Sequence, residues 1–388
     1  MDGWRWLPSD RSWRGAARLA VKVALIAAAL NLIYALIQPM NWLEGVSVYN
    51  HLVPGRLRFS FQDQNTIYAT TVVRLTQMFA QHEISGSPRV PNQTRIAFLG
   101  GSSIWGYGLS PHDTFAACLQ RDFQAPDGRS IRSFNLAYPA PSMLRDLITL
   151  RRALQYDLDT VVWFVGGIGI LRPRMFVAPM LAYNPEEVRS LMDELNISPP
   201  EKAQPPADPD FWARTLIGDR ARIVTWTRDQ LWGLDWLQRG EDGIPFGPSV
   251  RYRDPDPDSE GEGVIFDPNF PLNPGEVSDV DFMFDLVAAG HQMAAAAGVR
   301  VILFIDPMWY APEGTATLRY NEYFPRWYFD QFQQSFERTA AQNGWELHDW
   351  SQALPNESFT DSVFHYTPEA ACELARQFVP LLQNREGE

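Results

Sequence analysis

Lysine is almost absent from this chain. Its 388 residues hold two, Lys22 and Lys202, and arginine carries the rest of the positive charge. With a formal net charge of −13 and no basic stripe, nothing offers itself to a nucleic acid. Cysteine is equally scarce. Cys118 and Cys372 are too few for a structural zinc site, which takes about four ligands, and no pattern calls for a metal or a cofactor. Both fall on helices expected to flank a sheet, the first and the last. Two buried thiols is the preferred reading, with a disulfide as the alternative, because such helices can be neighbours. Charged residues make up only 20 % against 45 % hydrophobic, which excludes global disorder and permits a sizeable core. The length suits one large domain with appendages or two modest ones.

What is present begins with an apolar run. Arg5, Arg11, Arg14, Arg18 and Lys22 face only Asp2 and Asp10, and Val23 to Ile37 follows with no charged residue. About 20 residues cross a bilayer, and Ala16 to Ile37 meets that with Arg18 and Lys22 able to snorkel. A basic tail over 1–15 and a transmembrane helix over 16–38 are expected. Trp4, Trp6, Trp13 and Trp42 read as interfacial anchors. No small-x-small site follows the run, which disfavours a cleaved signal peptide. With the positive flank inside, the rest of the protein lies outside the cytoplasm.

Residues 39–93 form a juxtamembrane segment with one helix, 70–82. From Arg95 strands are expected at 95–99, 131–136, 160–165, 299–305 and 345–349. They alternate with helices near 112–123, 142–154, 279–297, 326–342 and 368–383. Five βα units predict a parallel sheet covered on both faces, with reactive residues at the carboxyl ends of its strands. Residues 172–278 break the alternation as an insertion. Its tryptophans (Trp212, Trp226, Trp232, Trp236) read first as a small satellite core and otherwise as a cap or partner surface at the active-site end. The acidic run 254–262 lacks the glycine and bidentate Glu of a calcium loop and reads as a solvated loop.

Two segments carry chemistry. Ile96 to Leu99 reads as a buried strand, Gly100-Gly101 as a sharp turn, and Ser102 as a serine lifted to the strand's carboxyl end, where backbone N–H groups can face an oxyanion. Near the C-terminus, Thr367-Pro368 marks a helix start, and Asp361 and His365 sit on the loop that feeds it. Together these segments resemble the SGNH (GDSL-type) hydrolase superfamily, over roughly residues 94–383. The family's Gly-Asp-Ser-x-Thr-x-Gly-x-Gly block aligns with Gly100 to Gly108, and its closing Asp and His align with Asp361 and His365. The resemblance implies a flavodoxin-like three-layer α/β/α fold. It implies Ser102 as nucleophile, His365 as general base and Asp361 as the group that orients it, with the block spacing choosing Ser102 over Ser103. It also implies an oxyanion held by the backbone N–H groups of Ser102 and Ala140.

Two departures stand out. Asp361 precedes His365 by four residues where the family has three, which a turn or helical loop accommodates. The family's Gly-x-Asn-Asp block reads Gly166-Gly-Ile-Gly169 here, with Ile168 in place of the Asn that donates to the oxyanion. The expected function is a membrane-anchored extracytoplasmic esterase or O-acyltransferase acting on acyl esters. By architecture, the substrate is a surface glycan and a membrane-bound O-acyltransferase is the partner. The rival is an SGNH-fold scaffold or carbohydrate-binding protein with impaired chemistry.

Overall fold

In the computed structural model, β1 (Gln93–Leu99), β2 (Ser130–Asn135), β3 (Thr160–Val165), β4 (Arg300–Ile305) and β5 (Glu346–Asp349) form one sheet. Its order is β2-β1-β3-β4-β5, and all pairs are parallel. The structure describes residues 12–47, 55–61, 73–199, 209–239, 250–254, 275, 277–312 and 317–383. The strands lie within two residues of their expected bounds, and β3 and β4 at the centre of the sheet are the near-continuous apolar runs that burial on both faces requires.

Alternation along the strands sorts side chains between two cores. Ala97 and Leu99 of β1, with Trp163 of β3 and Leu303 of β4, face helices α4 (Met143–Ala153), α6 (Phe284–Ala296) and α7 (Arg326–Asn343). Ile96, Phe98, Phe164 and Phe304 face α3 (Phe115–Asp122) and α8 (Pro368–Phe378). The result is a three-layer α/β/α fold. The order reverses between β1 and β3, and the crevice at such a switch point is where ligands bind in open α/β sheets.

Helices α3 and α8 pack side by side, and Cys118 and Cys372 form a disulfide between them. This corrects the expectation of two buried thiols. The helices adjoin because both cover the same face of the sheet, over Ile96, Phe98 and Phe304, a relation across 254 residues that no local pattern records. The one candidate metal-ligand grouping among the described residues, Cys118, Asp122 and Cys372, has both sulfurs taken by that bond.

Outside the sheet, α1 (Trp13–Ile37) starts at Ser12, whose hydroxyl accepts from the Gly15 N–H. It is 25 residues long, its most apolar 18-residue stretch has a mean hydropathy of 2.2, and it is long and apolar enough to cross a membrane. The helix expected over 70–82 is observed as α2 (Leu75–Gln81), with residues 70–72 outside the described residues. In the insertion, α5 (Arg220–Arg239) carries Trp226, half-buried against Val46, while Trp212 is 73 % exposed. The satellite core is therefore corrected at Trp212. The polar contacts of residues 209–231 run to α1, to residues 41–46 and to Gln77, so this part of the insertion braces the juxtamembrane segment. Residues 255–262 of the acidic run lie outside the described residues. Asp254 pairs with Arg319 at 2.9 Å.

Candidate active site

Strand β1 ends at Leu99, and Gly100 turns the chain with φ +154°. A Cβ there would lie 3.0 Å from the Cβ of Phe164 and 3.1 Å from Ile104. The close approach of β1 to β3 therefore requires glycine. Ser102 then opens a single helical turn, Ser102–Trp105, so its N–H has no partner within that turn. Gly106 closes it with φ +84°, and a Cβ there would come within 2.6 Å of Thr114.

The Ser102 Oγ lies 2.8 Å from His365 Nε2, and His365 Nδ1 lies 3.1 Å from Asp361 Oδ1. With Nδ1–H donating to Asp361, Nε2 is left free to accept the serine proton. The ring of Tyr107 stacks on His365 at 4.6 Å between centroids, fixing the imidazole plane. Burial raises the Asp361 carboxyl, but the hydrogen bond and charge of His365 outweigh it and leave Asp361 below its ordinary value. The acid therefore stays ionised at neutral pH, as an orienting group must.

The four-residue spacing from Asp361 to His365 is resolved by a tight loop. An antiparallel bridge joins Phe359 to Tyr366, the Thr360 N–H donates to the His365 carbonyl at 2.8 Å, and the Thr367 N–H donates to Ser358 at 2.9 Å. The N–H of Trp309, just beyond β4, donates to Val363 at 2.8 Å and ties the loop to the sheet. A closed loop of this shape brings positions four apart together without a helix.

Ser103 points elsewhere. Its hydroxyl is buried and donates to Asp306 Oδ1 at 3.2 Å. The structure thus brings together Ser102, His365 and Asp361 and leaves Ser103 out.

Ala140 has φ +66°, a left-handed conformation that strains any residue with a Cβ by about 1 kcal/mol. The loop after β3, Gly166–Gly169, packs against this stretch. A Cβ on Gly169 would meet Pro141 at 2.9 Å, and the Met143 N–H donates to the Gly169 carbonyl at 3.2 Å. The half-buried Ile168 therefore lies in the loop beside Ala140.

Three buried side chains that the sequence reading passed over hold this turn. Arg58 donates to the carbonyls of Trp105 and Gly106 at 3.2 and 2.7 Å while lying over the Trp105 ring. Asn135 Nδ2 donates to Ile104 at 2.9 Å. Arg145 reaches the Gly100 carbonyl at 2.9 Å and also the Tyr138 carbonyl, and pairs with Asp146, which accepts from Trp163 Nε1 at 3.1 Å. These bonds hold the carbonyl side of the turn against the protein behind it.

A second acid stands close by. Asp306 follows β4, and its Oδ2 lies 3.0 Å from where a Cβ on Gly166 would be. Burial pushes its carboxyl up to about 7. The Ser103 hydrogen bond acts against the shift, the charge of Asp146 adds to it, and Arg145 opposes it. An acid at the carboxyl end of a parallel strand was the available signal. A carboxyl raised in the folded state holds its proton there after the unfolded chain has released it. Stability is therefore lost as pH rises from about 4 through about 7. Asp306→Asn keeps the contact with Ser103 and removes the titration. Between pH 4 and 8, chemical denaturation should show a loss for wild type exceeding that of Asp306→Asn by on the order of 1–3 kcal/mol. Parallel curves would refute the shift.

No family model and no curated protein matches the chain. Among solved structures, TesA is similar at 13 % identity over 75 % of this chain and 98 % of its own, with a TM-score of 0.39. The psychrotrophic esterase EstA from Pseudoalteromonas sp. is similar at 12 % over 74 % and 97 %, with a TM-score of 0.36. A carbohydrate acetylesterase family member from Sinorhizobium meliloti is similar at 10 % over 74 % and 97 %, with a TM-score of 0.32. At identities of 10–13 % these likenesses say nothing of activity in this chain.

Proposed function

We propose that this chain is a serine esterase or O-acyltransferase of SGNH type, anchored by α1 with its α/β/α domain outside the cytoplasm. The observation that carries the proposal is the run of contacts from Ser102 to His365 to Asp361, at 2.8 and 3.1 Å. Serine alone is a weak nucleophile, and an oriented imidazole within hydrogen-bond reach is what activates it. Ser102 Oγ attacks the ester carbonyl as His365 Nε2 takes its proton. The oxyanion that forms is received by the N–H groups of Ser102 and Ala140. The intermediate expels the alcohol, which leaves with the proton from His365, and Ser102 holds the acyl group. Water or a sugar hydroxyl, deprotonated by His365, then resolves the acyl-serine.

The anchor and its orientation are supported by the apolar length of α1 and by the basic residues before it. The Cys118–Cys372 disulfide supports an oxidising compartment. A surface glycan as acceptor and a membrane-bound O-acyltransferase as donor rest on analogy of architecture alone. Ile168 bears on rate. Losing one oxyanion donor costs about 10²–10³ in turnover, and this same residue is what favours the rival reading of a scaffold with impaired chemistry.

A cell-impermeant fluorophosphonate, applied to intact cells freed of their wall, should label wild-type protein at Ser102 and leave Ser102→Ala unlabelled. Labelling that appears only after lysis would overturn the orientation and leave the enzyme standing. No labelling in either condition would overturn the enzyme.

A further inference from the structure

Helix α5 is amphipathic in the reverse sense for a helix that meets water. Arg222 and Asp229 turn inward. Arg222 holds both carboxylate oxygens of the buried Glu44 and reaches Asn41 at 3.0 Å. The fully buried Asp229 accepts from Gln77 at 2.8 Å. Three apolar residues turn outward: Val224 is 64 % exposed, with Ala221 before it and Leu231 one heptad beyond. On the same face the Thr227 hydroxyl folds back onto the Ile223 carbonyl at 2.9 Å, and the exposed Arg220 donates to the Ile217 carbonyl at 2.6 Å. A polar interior face with an apolar outer one is the pattern of a helix whose surroundings are apolar.

The segment entering α5 says what those surroundings are. The Ile217 N–H donates to Asn31 Oδ1 at 3.0 Å, the Tyr34 hydroxyl donates to Asp219 at 2.7 Å, and Gln38 Nε2 donates to the Arg214 carbonyl at 2.9 Å. Asn31, Tyr34, Ala35 and Gln38 form the single half-covered stripe on the end of α1, whose residues 23–30 are exposed all round. Asn31 lies six residues before Ile37, roughly 9 Å along the helix axis from its end. Ile217, 63 % exposed, is thus placed alongside the last turns of α1, and its apolar surface continues that of the helix. Trp212 lies edge-on to Phe211 at 5.6 Å and is exposed, as is Trp42 just past α1, and exposed tryptophans on both elements suit the headgroup level.

We propose that residues 211–224 are a second membrane contact, a collar beside α1 that places Trp212, Ile217 and Val224 in the interfacial and outer acyl region of the bilayer. The proposal rests on the reading of α1 as a membrane span. Two attachments, joined by hydrogen bonds between them, hold the α/β/α domain at one height and tilt over the lipid surface, which a single flexible tether would not do.

The test uses the full chain reconstituted in phosphatidylethanolamine–phosphatidylglycerol vesicles. Both native cysteines are in the disulfide, so single cysteines introduced as Trp212→Cys, Val224→Cys, Leu25→Cys and Asp127→Cys can each carry a spin label. Collision rates with oxygen, which partitions into lipid, are compared with those of a water-soluble nickel complex. The log ratio at 212 and 224 should take the sign seen at Leu25, within α1, and the opposite sign to Asp127, an exposed turn. Nickel-dominated collisions at 212 and 224 with oxygen dominance at Leu25 would overturn the collar and leave the span intact. Low rates with both reagents at 212 and 224 would show protein cover by a second copy and also overturn it. Nickel dominance at Leu25 would remove the span itself, and the collar with it.

Discussion

Replacing Ser102 with alanine in the detergent-solubilised full chain is expected to lower kcat for p-nitrophenyl acetate by at least about 10⁴-fold. His365→Ala should do the same. Ser102 Oγ and His365 Nε2, 2.8 Å apart, act in one proton transfer, so the double variant should be scarcely slower than either single one. Asp361→Asn should lose less, about 10²-fold, because the half-exposed carboxylate can be replaced in part by water and because Tyr107 also holds the ring. Ser103→Ala should keep most of its activity, since that hydroxyl is engaged with Asp306. A dead Ser103→Ala beside an active Ser102→Ala would show that the wrong serine has been given the role.

The second large effect concerns stability. Arg145→Met should destabilise the fold by about 3–5 kcal/mol, read as a shift in the denaturant midpoint at constant slope. The variant leaves Asp146 buried without its cation and strips the carbonyls of Gly100 and Tyr138 of a donor. Burial already raises the Asp146 carboxyl, which Arg145 and Trp163 only partly oppose, so removing the cation should favour the protonated acid. Arg145→Met combined with Asp146→Leu should recover much of the loss, because replacing both members of a buried pair is far less costly than orphaning one. A single variant that loses under about 1 kcal/mol would show that the pair does not brace the nucleophile turn. Activity should fall with Arg145→Met even where the protein is folded, since the Gly100 carbonyl fixes the direction in which Ser102 leaves β1.

The legible part of this protein is the part written in local periodicity and in short spacings. Near-continuous apolar runs mark β3 and β4, because a strand buried on both faces leaves few polar positions to confuse the pattern, while β1, β2 and β5 are placed by shorter apolar stretches and by the alternation with helices. Gly100, Gly106 and Thr367-Pro368 mark turns and a helix start, because only certain residues accept those backbone angles or caps. From these, the position of Ser102 at a strand end and of His365 before the last helix could be placed.

Distances between remote segments were not legible. The approach of Ser102 to His365 spans 263 residues, and the disulfide spans 254. Nothing along the chain sets Arg58 and Arg145 apart from the other arginines, and only the packed structure shows them buried and turned onto the carbonyls of the nucleophile turn. The inverted face of α5 could not be assigned either. A helix with one charged and one apolar face is the same in sequence whichever face meets the protein, and contacts with Glu44, Gln77 and Asn31 decide it. The sequence by itself determined the elements, their order and the residues able to do chemistry, since these follow from steric and hydrophobic rules acting over a few residues. The tertiary structure alone decided which of those residues meet, which charges are buried and which apolar face stays outside, because those follow from where distant elements come to rest against one another.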